Sequence, residues 1–151
     1  MKKIFSVEVL TKIISKQKAK GKKIVLCHGT FDLLHIGHIK HFKEAKALGD
    51  KLIVTITSDK YVNKGPKRPA FNEKYRLEAV AALNDVDYVA LSEHPTAVQV
   101  IKKLRPHIYS KGPDYKNHKN DISGEIKNEI NELKKAKGKI VYTSGITFSS
   151  S

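Results

Sequence analysis

The sequence predicts an α/β domain: five parallel strands in one sheet with helices on both of its faces. Two observations carry that expectation. Five short apolar runs alternate with five segments of helical periodicity, and strands that alternate with helices build a parallel sheet covered on both sides. The chain has 151 residues, the size of one ordinary domain with a real core. A single domain over 1–151 is therefore expected.

Each element has its own signal. Residues 7–19 read as an amphipathic helix, with Ser6 as N-cap, Leu10, Ile13 and Ile14 on one face and Gly21 after its end. Residues 23–28 are a short apolar run, read as a buried strand. A helix is expected over 37–48, stopped by Gly49. Residues 52–57 form a second strand. A polar loop with Gly65, Pro66 and Pro69 leads to a helix over 73–83, with Asn72 as its cap. Residues 86–91 are a third strand. Residues 95–104 are helical, with Pro95 in the first turn. Residues 107–110 are a fourth strand. A helix over 125–137 carries Ile126, Ile130 and Leu133 on one stripe, and 139–143 is the fifth strand. In such sheets ligands bind beyond the carboxyl ends of the strands. The loops 29–38, 58–72, 111–121 and 143–151 each follow a strand, so a pocket is expected where they meet on one rim.

Composition narrows the function classes. The formal net charge is +14, which suits an anionic partner such as nucleic acid, an acidic membrane surface or a phosphorylated small molecule. All but three of the 29 basic residues are lysines, spread along the chain, and there is no Trp. Base readout and tight phosphate forks favour Arg, so a solvated lysine surface is the simpler reading. No apolar stretch has the length of a membrane span, and the basic N-terminus lacks the continuous apolar region of a secretory signal. The single cysteine, Cys27, excludes an internal disulfide framework. A cytoplasmic protein without a membrane partner is expected.

The segment that carries chemistry is Gly29-Thr-Phe-Asp-Leu-Leu-His-Ile-Gly-His38. It runs from the end of the first strand into the next helix. A helix start offers unpaired N–H groups and a positive dipole end to an anion. Gly29 and Gly37 are expected to let phosphate oxygens approach the backbone. His35 and His38, three apart, can point the same way and donate to a phosphate that gains charge in a transition state. Phosphoryl-type transfer needs little beyond positioning and charge stabilisation. His41 extends the spacing to i, i+3, i+6, but three imidazoles within two turns spread over a wide arc, so no metal site is assigned. His41, His94, His107 and His118 are read as surface or satisfied core residues, and Cys27 as a small core hydrophobe; His28, at the strand end, is placed to line the pocket but is not assigned a role.

The ten-residue segment resembles the signature G-x-F-D-x-x-H-x-G-H of the cytidylyltransferase-like nucleotidyltransferases. The likeness continues through Leu48-Gly-Asp-Lys-Leu-Ile-Val, Thr57-Ser-Asp59 and Lys64-Gly-Pro-Lys-Arg-Pro69 followed by Arg76. Ser110-Lys-Gly-Pro-Asp-Tyr115 is similar to the K-G-x-D-Y segment in the adenylyltransferase domain of bifunctional heptose kinase/adenylyltransferases of the ADP-heptose synthase type. Phe148-Ser-Ser-Ser151 looks like the start of the family's Ser-Thr-Thr segment.

The resemblance implies a Rossmann-like sheet of order 3-2-1-4-5. It implies transfer of a nucleoside monophosphate from ATP or CTP to a phosphorylated sugar or polyol, with pyrophosphate released and Mg²⁺ present. His35 and His38 would stabilise the α-phosphate, and Lys64 would neutralise phosphate charge. Gly29, Thr30, Phe31, Gly37, Lys111, Gly112, Asp114, Ser149, Ser150 and Ser151 would bind the nucleotide. Lys67, Arg68 and Arg76 would serve the substrate phosphate. A homodimer, and a sugar kinase fused to the domain or acting as its partner, are further implications, with the chain as the N-terminal part of a longer bifunctional protein as one option.

Three other readings fit less well. Glycerol-3-phosphate cytidylyltransferases carry R-T-E-G-I-S-T near the end, whereas this chain reads Tyr142-Thr-Ser-Gly-Ile-Thr-Phe148 without the Arg. Residues 35–38 spell the HIGH motif of class I aminoacyl-tRNA synthetases, but no K-M-S-K-S segment follows. A non-catalytic basic nucleic-acid-binding domain on the same fold predicts salt-sensitive binding without turnover.

Overall fold

A computed structural model describes residues 2–62, 69, 71–112 and 125–144, the side chain of Glu125 excepted. Its elements run α1 (Val7–Ala19), β1 (Ile24–Gly29), α2 (Ile36–Ala47), β2 (Lys51–Thr57), a 3₁₀ turn (Asp59–Tyr61), α3 (Glu73–Ala81), β3 (Tyr88–Ser92), α4 (Val98–Leu104), β4 (Ile108–Lys111), α5 (Glu125–Lys135) and β5 (Lys139–Tyr142). The five strands form one sheet of order β3-β2-β1-β4-β5, every pairing parallel. This is the expected sheet and the expected order.

Alternation along the strands divides the core in two. Ile24 and Leu26 of β1 and Ile53 of β2 face α1 and α4, packing with Leu10, Ile14, Ile101 and Leu104, and with Leu133 of α5. Val25 and Cys27 of β1 and Leu52, Val54 and Ile56 of β2 face the other side, against Phe42 and Ala45 of α2 and Val80 of α3. A central strand buried on both faces reads as a continuous apolar run, which is why 23–28 announces itself so clearly.

The caps are those the sequence marks. Ser6 Oγ accepts from Val9 N at 3.2 Å, and Asn72 Oδ1 accepts from Tyr75 N at 3.0 Å. Two element starts move by more than one residue. α4 opens at Val98 rather than near Pro95, because Thr96 Oγ1 draws the Val98 N–H into a local turn at 3.4 Å. The third strand starts at Tyr88 rather than Val86, because Val86 N donates to Leu83 O in the turn that ends α3. One pairing has no sequence signal. The outer edge of β3 is met by the N-terminal segment, with Val89 N donating to Lys3 O at 2.9 Å and Phe5 N to Val89 O at 3.0 Å. A cavity of about 640 Å³ lies beside this edge, between Phe5, Leu77, Leu91 and Val100, away from the signature.

Candidate active site

β1 ends at Gly29 at the carboxyl rim, and α2 starts at Ile36. The six residues between must turn the chain back over the sheet. Phe31 takes the left-handed backbone conformation, φ 50°, which folds its ring back toward Gly29. A Cβ on Gly29 would stand 2.9 Å from Phe31 Cζ. The Phe31 ring is wedged edge-on against Phe42 at 5.1 Å and against His38 at 5.6 Å. Phe31 therefore anchors the loop in the core and braces one of the two signature histidines.

The two histidines close the start of α2 on themselves. His35 is the N-cap, and its Nδ1 accepts from Gly37 N at 3.0 Å. His38 Nδ1 in turn accepts from His35 N at 3.3 Å. The rings lie 4.1 Å apart, tilted by 38°. In a neutral imidazole one nitrogen carries the proton and the other accepts. With both Nδ1 atoms accepting backbone N–H groups, both protons belong on Nε2. The start of α2 thus carries two Nε2–H groups together with the positive end of the helix. The close approach explains Gly37, whose Cβ would stand 2.6 Å from His35 Cε1. At both glycines an added Cβ would meet an aromatic ring of their own loop.

Arg76 needs correcting. The resemblance gives it to a substrate phosphate, but its side chain is 0% exposed. Its Nη1 donates to Thr30 O at 2.9 Å and Thr57 O at 2.6 Å, its Nη2 to Asp59 Oδ1 at 2.6 Å, and its Nε to Phe71 O at 3.1 Å. Arg76 is a structural clamp that joins the signature loop, the end of β2 and the start of α3. Asp32 works beside it, accepting from Phe71 N at 2.9 Å. Thr30 lies on the loop with its carbonyl held by this clamp.

Lys111 ends β4 on the same rim. Its ammonium pairs with Glu129 of α5 at 2.8 Å, with side chains 10% and 7% exposed, and stands 4.9 Å over the Tyr109 ring. Gly112 follows, with open space where a Cβ would be. His28, at the end of β1, bonds Thr55 Oγ1 at 2.8 Å. Desolvation, and then the Lys111 charge, lower its pKa to about 4, so it is neutral at physiological pH. Burial likewise raises the Cys27 thiol far above its ordinary range, which makes it the inert core group expected. Lys64, Lys67, Arg68, Asp114, Ser149, Ser150 and Ser151, along with His118, lie outside the described residues. Three further residues that the sequence did not single out make contacts here: Glu129 with Lys111, Glu44, whose Oε2 accepts from Ser144 N at 3.0 Å, and Thr143, whose Oγ1 lies 2.8 Å from His41 Nδ1. Their partners are distant in sequence, so no local pattern signals them.

The fold and the H-x-G-H helix start agree with the cytidylyltransferase-like family that the ten-residue signature resembles. The cytidylyltransferase-like family model matches residues 26–145, and the chain belongs to that family. Among curated relatives, the Bifunctional protein HldE of Pelobacter propionicus is 45% identical over 115 residues, 75% of this chain and 24% of that protein. The Bifunctional protein HldE of Citrifermentans bemidjiense is 40% identical over 134 residues, 87% of this chain and 26% of that protein. The chain thus spans about a quarter of the length of these relatives. Among solved structures, the lipopolysaccharide core biosynthesis protein of Thermoplasma volcanium superposes with a TM-score of 0.69 at 30% identity, covering 84% of this chain and all of that one. A pantoate-beta-alanine ligase of Francisella tularensis shares the fold alone, with a TM-score of 0.60 at 15% identity over 95% of this chain and 67% of that one. Among the described residues, no helix is long and apolar enough to cross a membrane.

Proposed function

We propose that this domain transfers a nucleoside monophosphate from a nucleoside triphosphate to the phosphate of a heptose-1-phosphate-like sugar. An oxygen of the acceptor phosphate forms a bond to the α-phosphorus. The bond from that phosphorus to the β-phosphate bridge breaks, and pyrophosphate leaves. The observation that carries the reading is the reciprocal cap, which leaves the ring protons of His35 and His38 on Nε2 at one helix start. Charge grows on the α-phosphate oxygens in the transition state, and preorganised donors stabilise it there without reorganising. Thr30 and Phe31, on the loop that Arg76 fixes, form the wall beside the nucleotide. Gly112 and Asp114 take the base and ribose side, with the pair of Lys111 and Glu129 as its floor. Lys64, Lys67 and Arg68 neutralise phosphate charge, and Ser149, Ser150 and Ser151 offer hydroxyls to the triphosphate.

Mg²⁺ is a hard cation that takes oxygen ligands, keeps several waters and commonly rides on substrate phosphates. Among the described residues no group of three or more His, Cys, Asp or Glu converges on a metal position, so these residues do not fit a protein-built Mg²⁺ cage, and no step here is routed through the ion. The bifunctional relatives support a sugar kinase, on the same chain or as a partner, that supplies the acceptor.

The test is pyrophosphate release from ATP, CTP, GTP and UTP against heptose-1-phosphate, other sugar-1-phosphates and glycerol-3-phosphate. Turnover is expected with a sugar-1-phosphate, falling by roughly 10²–10³ in His35→Ala and in His38→Ala, the loss typical of one transition-state donor. Turnover with glycerol-3-phosphate alone would move the acceptor to the polyol class. Nucleic-acid binding with no turnover in any pair would replace the enzyme reading with the binding module.

A further inference from the structure

The lysines are spread along the sequence, but the fold gathers a group of them on one pole. Three turns lie side by side at the amino ends of the strands, where α1 passes into β1, α4 into β4 and α5 into β5. The first carries Lys20, Lys22 and Lys23, and the second Arg105. The third carries Lys134, Lys135, Lys137 and Lys139, and all of these side chains are exposed. Residues 20–23, 105–107 and 134–139 include no acid.

The turns are bonded into one surface. His107 N donates to Ile24 O at 3.0 Å, and Lys139 N donates to His107 O at 3.1 Å. Lys18 Nζ donates to Arg105 O, and Arg105 Nη2 donates to Lys135 O at 3.3 Å. A Cβ on Gly138 would stand 2.5 Å from Pro106 O, so the third turn is pressed against the second. The face is level as well as continuous. Val25 pairs with Ile108 and Ile108 with Lys139, so β1, β4 and β5 begin abreast.

This charge exceeds the ordinary complement of helix ends. A cation in the last turn offsets the helix dipole, but Lys22, Lys23, Lys137 and Lys139 lie beyond the helices. Arg105 and Lys137 take the left-handed backbone conformation, φ 49° and 60°, where glycine is the favoured residue. Two acids adjoin the turns. Asp50 Oδ2 accepts from Lys23 N at 2.7 Å, and Glu132 pairs with Lys135 at 3.3 Å. The field is still positive: after partial burial, Lys18 and Lys23 hold the His107 imidazole below its ordinary pKa.

The residue types select the partner. Protein interfaces deplete Lys and enrich aromatic rings, and none of the large exposed apolar side chains stands in these turns. Base readout and phosphate forks favour Arg, and single strands stack on aromatic rings. Here seven lysines accompany one Arg. A level array of flexible point charges suits a plane of anionic headgroups.

We propose that the amino pole of the sheet, formed by the α1–β1, α4–β4 and α5–β5 turns, docks on the anionic surface of a lipid bilayer. The contact is electrostatic and needs no spanning helix. It stands independently of the transfer reading. β1 has six residues, so about 20 Å separates the pole from the signature, and the signature rim faces water in the docked state.

The test sediments the full chain with vesicles of phosphatidylcholine alone and with vesicles containing about one third phosphatidylglycerol. Lys22→Glu/Lys137→Glu/Lys139→Glu reverses three charges on the pole. Lys12→Glu/Lys43→Glu/Lys74→Glu reverses three exposed charges elsewhere and reaches the same net charge. The parent is expected to bind the anionic vesicles, to leave them in high salt, and to ignore phosphatidylcholine alone. Partition falls by at least about tenfold in the pole variant and stays within about threefold in the control. Melting curves check the fold, and Lys22→Gln/Lys137→Gln/Lys139→Gln carries the same test if the reversed chain is unfolded. Equal losses in the pole and control variants overturn the proposal, because net charge alone then binds. Failure of the parent to bind anionic vesicles overturns it too. So does tighter binding to duplex DNA than to these vesicles at one ionic strength, which would make nucleic acid the partner.

Discussion

The geometry of His35 depends on an atom that residue 37 lacks. A Cβ at Gly37 would come within 2.6 Å of His35 Cε1 and 2.9 Å of its Nδ1, so the ring of His35 must swing away in Gly37→Ala. The bond from Gly37 N to Nδ1 is then lost, and with it the constraint that leaves the proton on Nε2. The thermodynamic effect is small, because two terms oppose. Ala favours a helical position over Gly by about 0.8–1.0 kcal/mol, and losing a side-chain cap costs about 1 kcal/mol. The expected outcome for Gly37→Ala is a melting temperature close to that of the parent with kcat/KM lower by at least about tenfold. Unchanged turnover would mean that the imidazole position does not matter to the chemistry. The histidines and the glycine were legible in the sequence, because the whole device lies within ten consecutive residues. The contact that the glycine avoids was not. Sequence shows that a side chain is missing but not which neighbouring ring it would meet.

Between elements, Arg76 is the strongest joint on this rim. One planar guanidinium bonds three carbonyls and a carboxylate, contributed by the signature loop, β2, the 3₁₀ turn and the start of α3. Lys carries the same charge on a single ammonium and cannot reach four acceptors in that fork. Arg76→Lys leaves buried carbonyls unpaired, and the expected loss is about 3 kcal/mol, read as a lowered urea midpoint at unchanged slope. A phosphate-binding Arg76 would give the opposite pattern, with a raised KM for the acceptor and a normal urea midpoint. The sequence offered Arg76 as a phosphate ligand because a basic residue near a phosphate site invites that reading. Its partners at Thr30 and Thr57 lie 46 and 19 positions away, and such contacts leave no local pattern. The pairing of Lys111 with Glu129 was hidden for the same reason. The elements themselves were legible, since strand runs, helical stripes, Ser6 and Asn72 are local signals. Two starts shifted where a local turn competed with the element, at Thr96 before α4 and at Val86 before β3.

Across the whole molecule, charge and buried imidazoles act in the same direction. The net charge of +14 sets the folded state against its own repulsion. Among the described residues, three histidines are held below their ordinary pKa by the fold. His28 is lowered to about 4 by desolvation and then by Lys111. His41 is lowered by burial, although Glu44 opposes the shift. His107 is lowered by partial burial and by Lys18 and Lys23, and its Nδ1 accepts from Ile24 N at 2.9 Å, a bond that a protonated ring cannot make. A histidine with a depressed folded pKa binds fewer protons in the native state than in the unfolded chain. Its contribution to stability is present above the ordinary value of 6.5 and is lost as pH falls toward the folded value. The urea midpoint is therefore expected to fall steadily from pH 6.5 to pH 4, the window that His28 sets. Added salt at constant pH should recover the part due to charge repulsion and leave the part due to the imidazoles. Replacing His28 with Gln should flatten the acid limb while lowering the midpoint at pH 7.5, because the bond to Thr55 is perturbed. A midpoint that holds level or rises on acidification would show that these imidazoles titrate as they do in the unfolded chain, and the rim of the sheet would then be wetter than its packing implies.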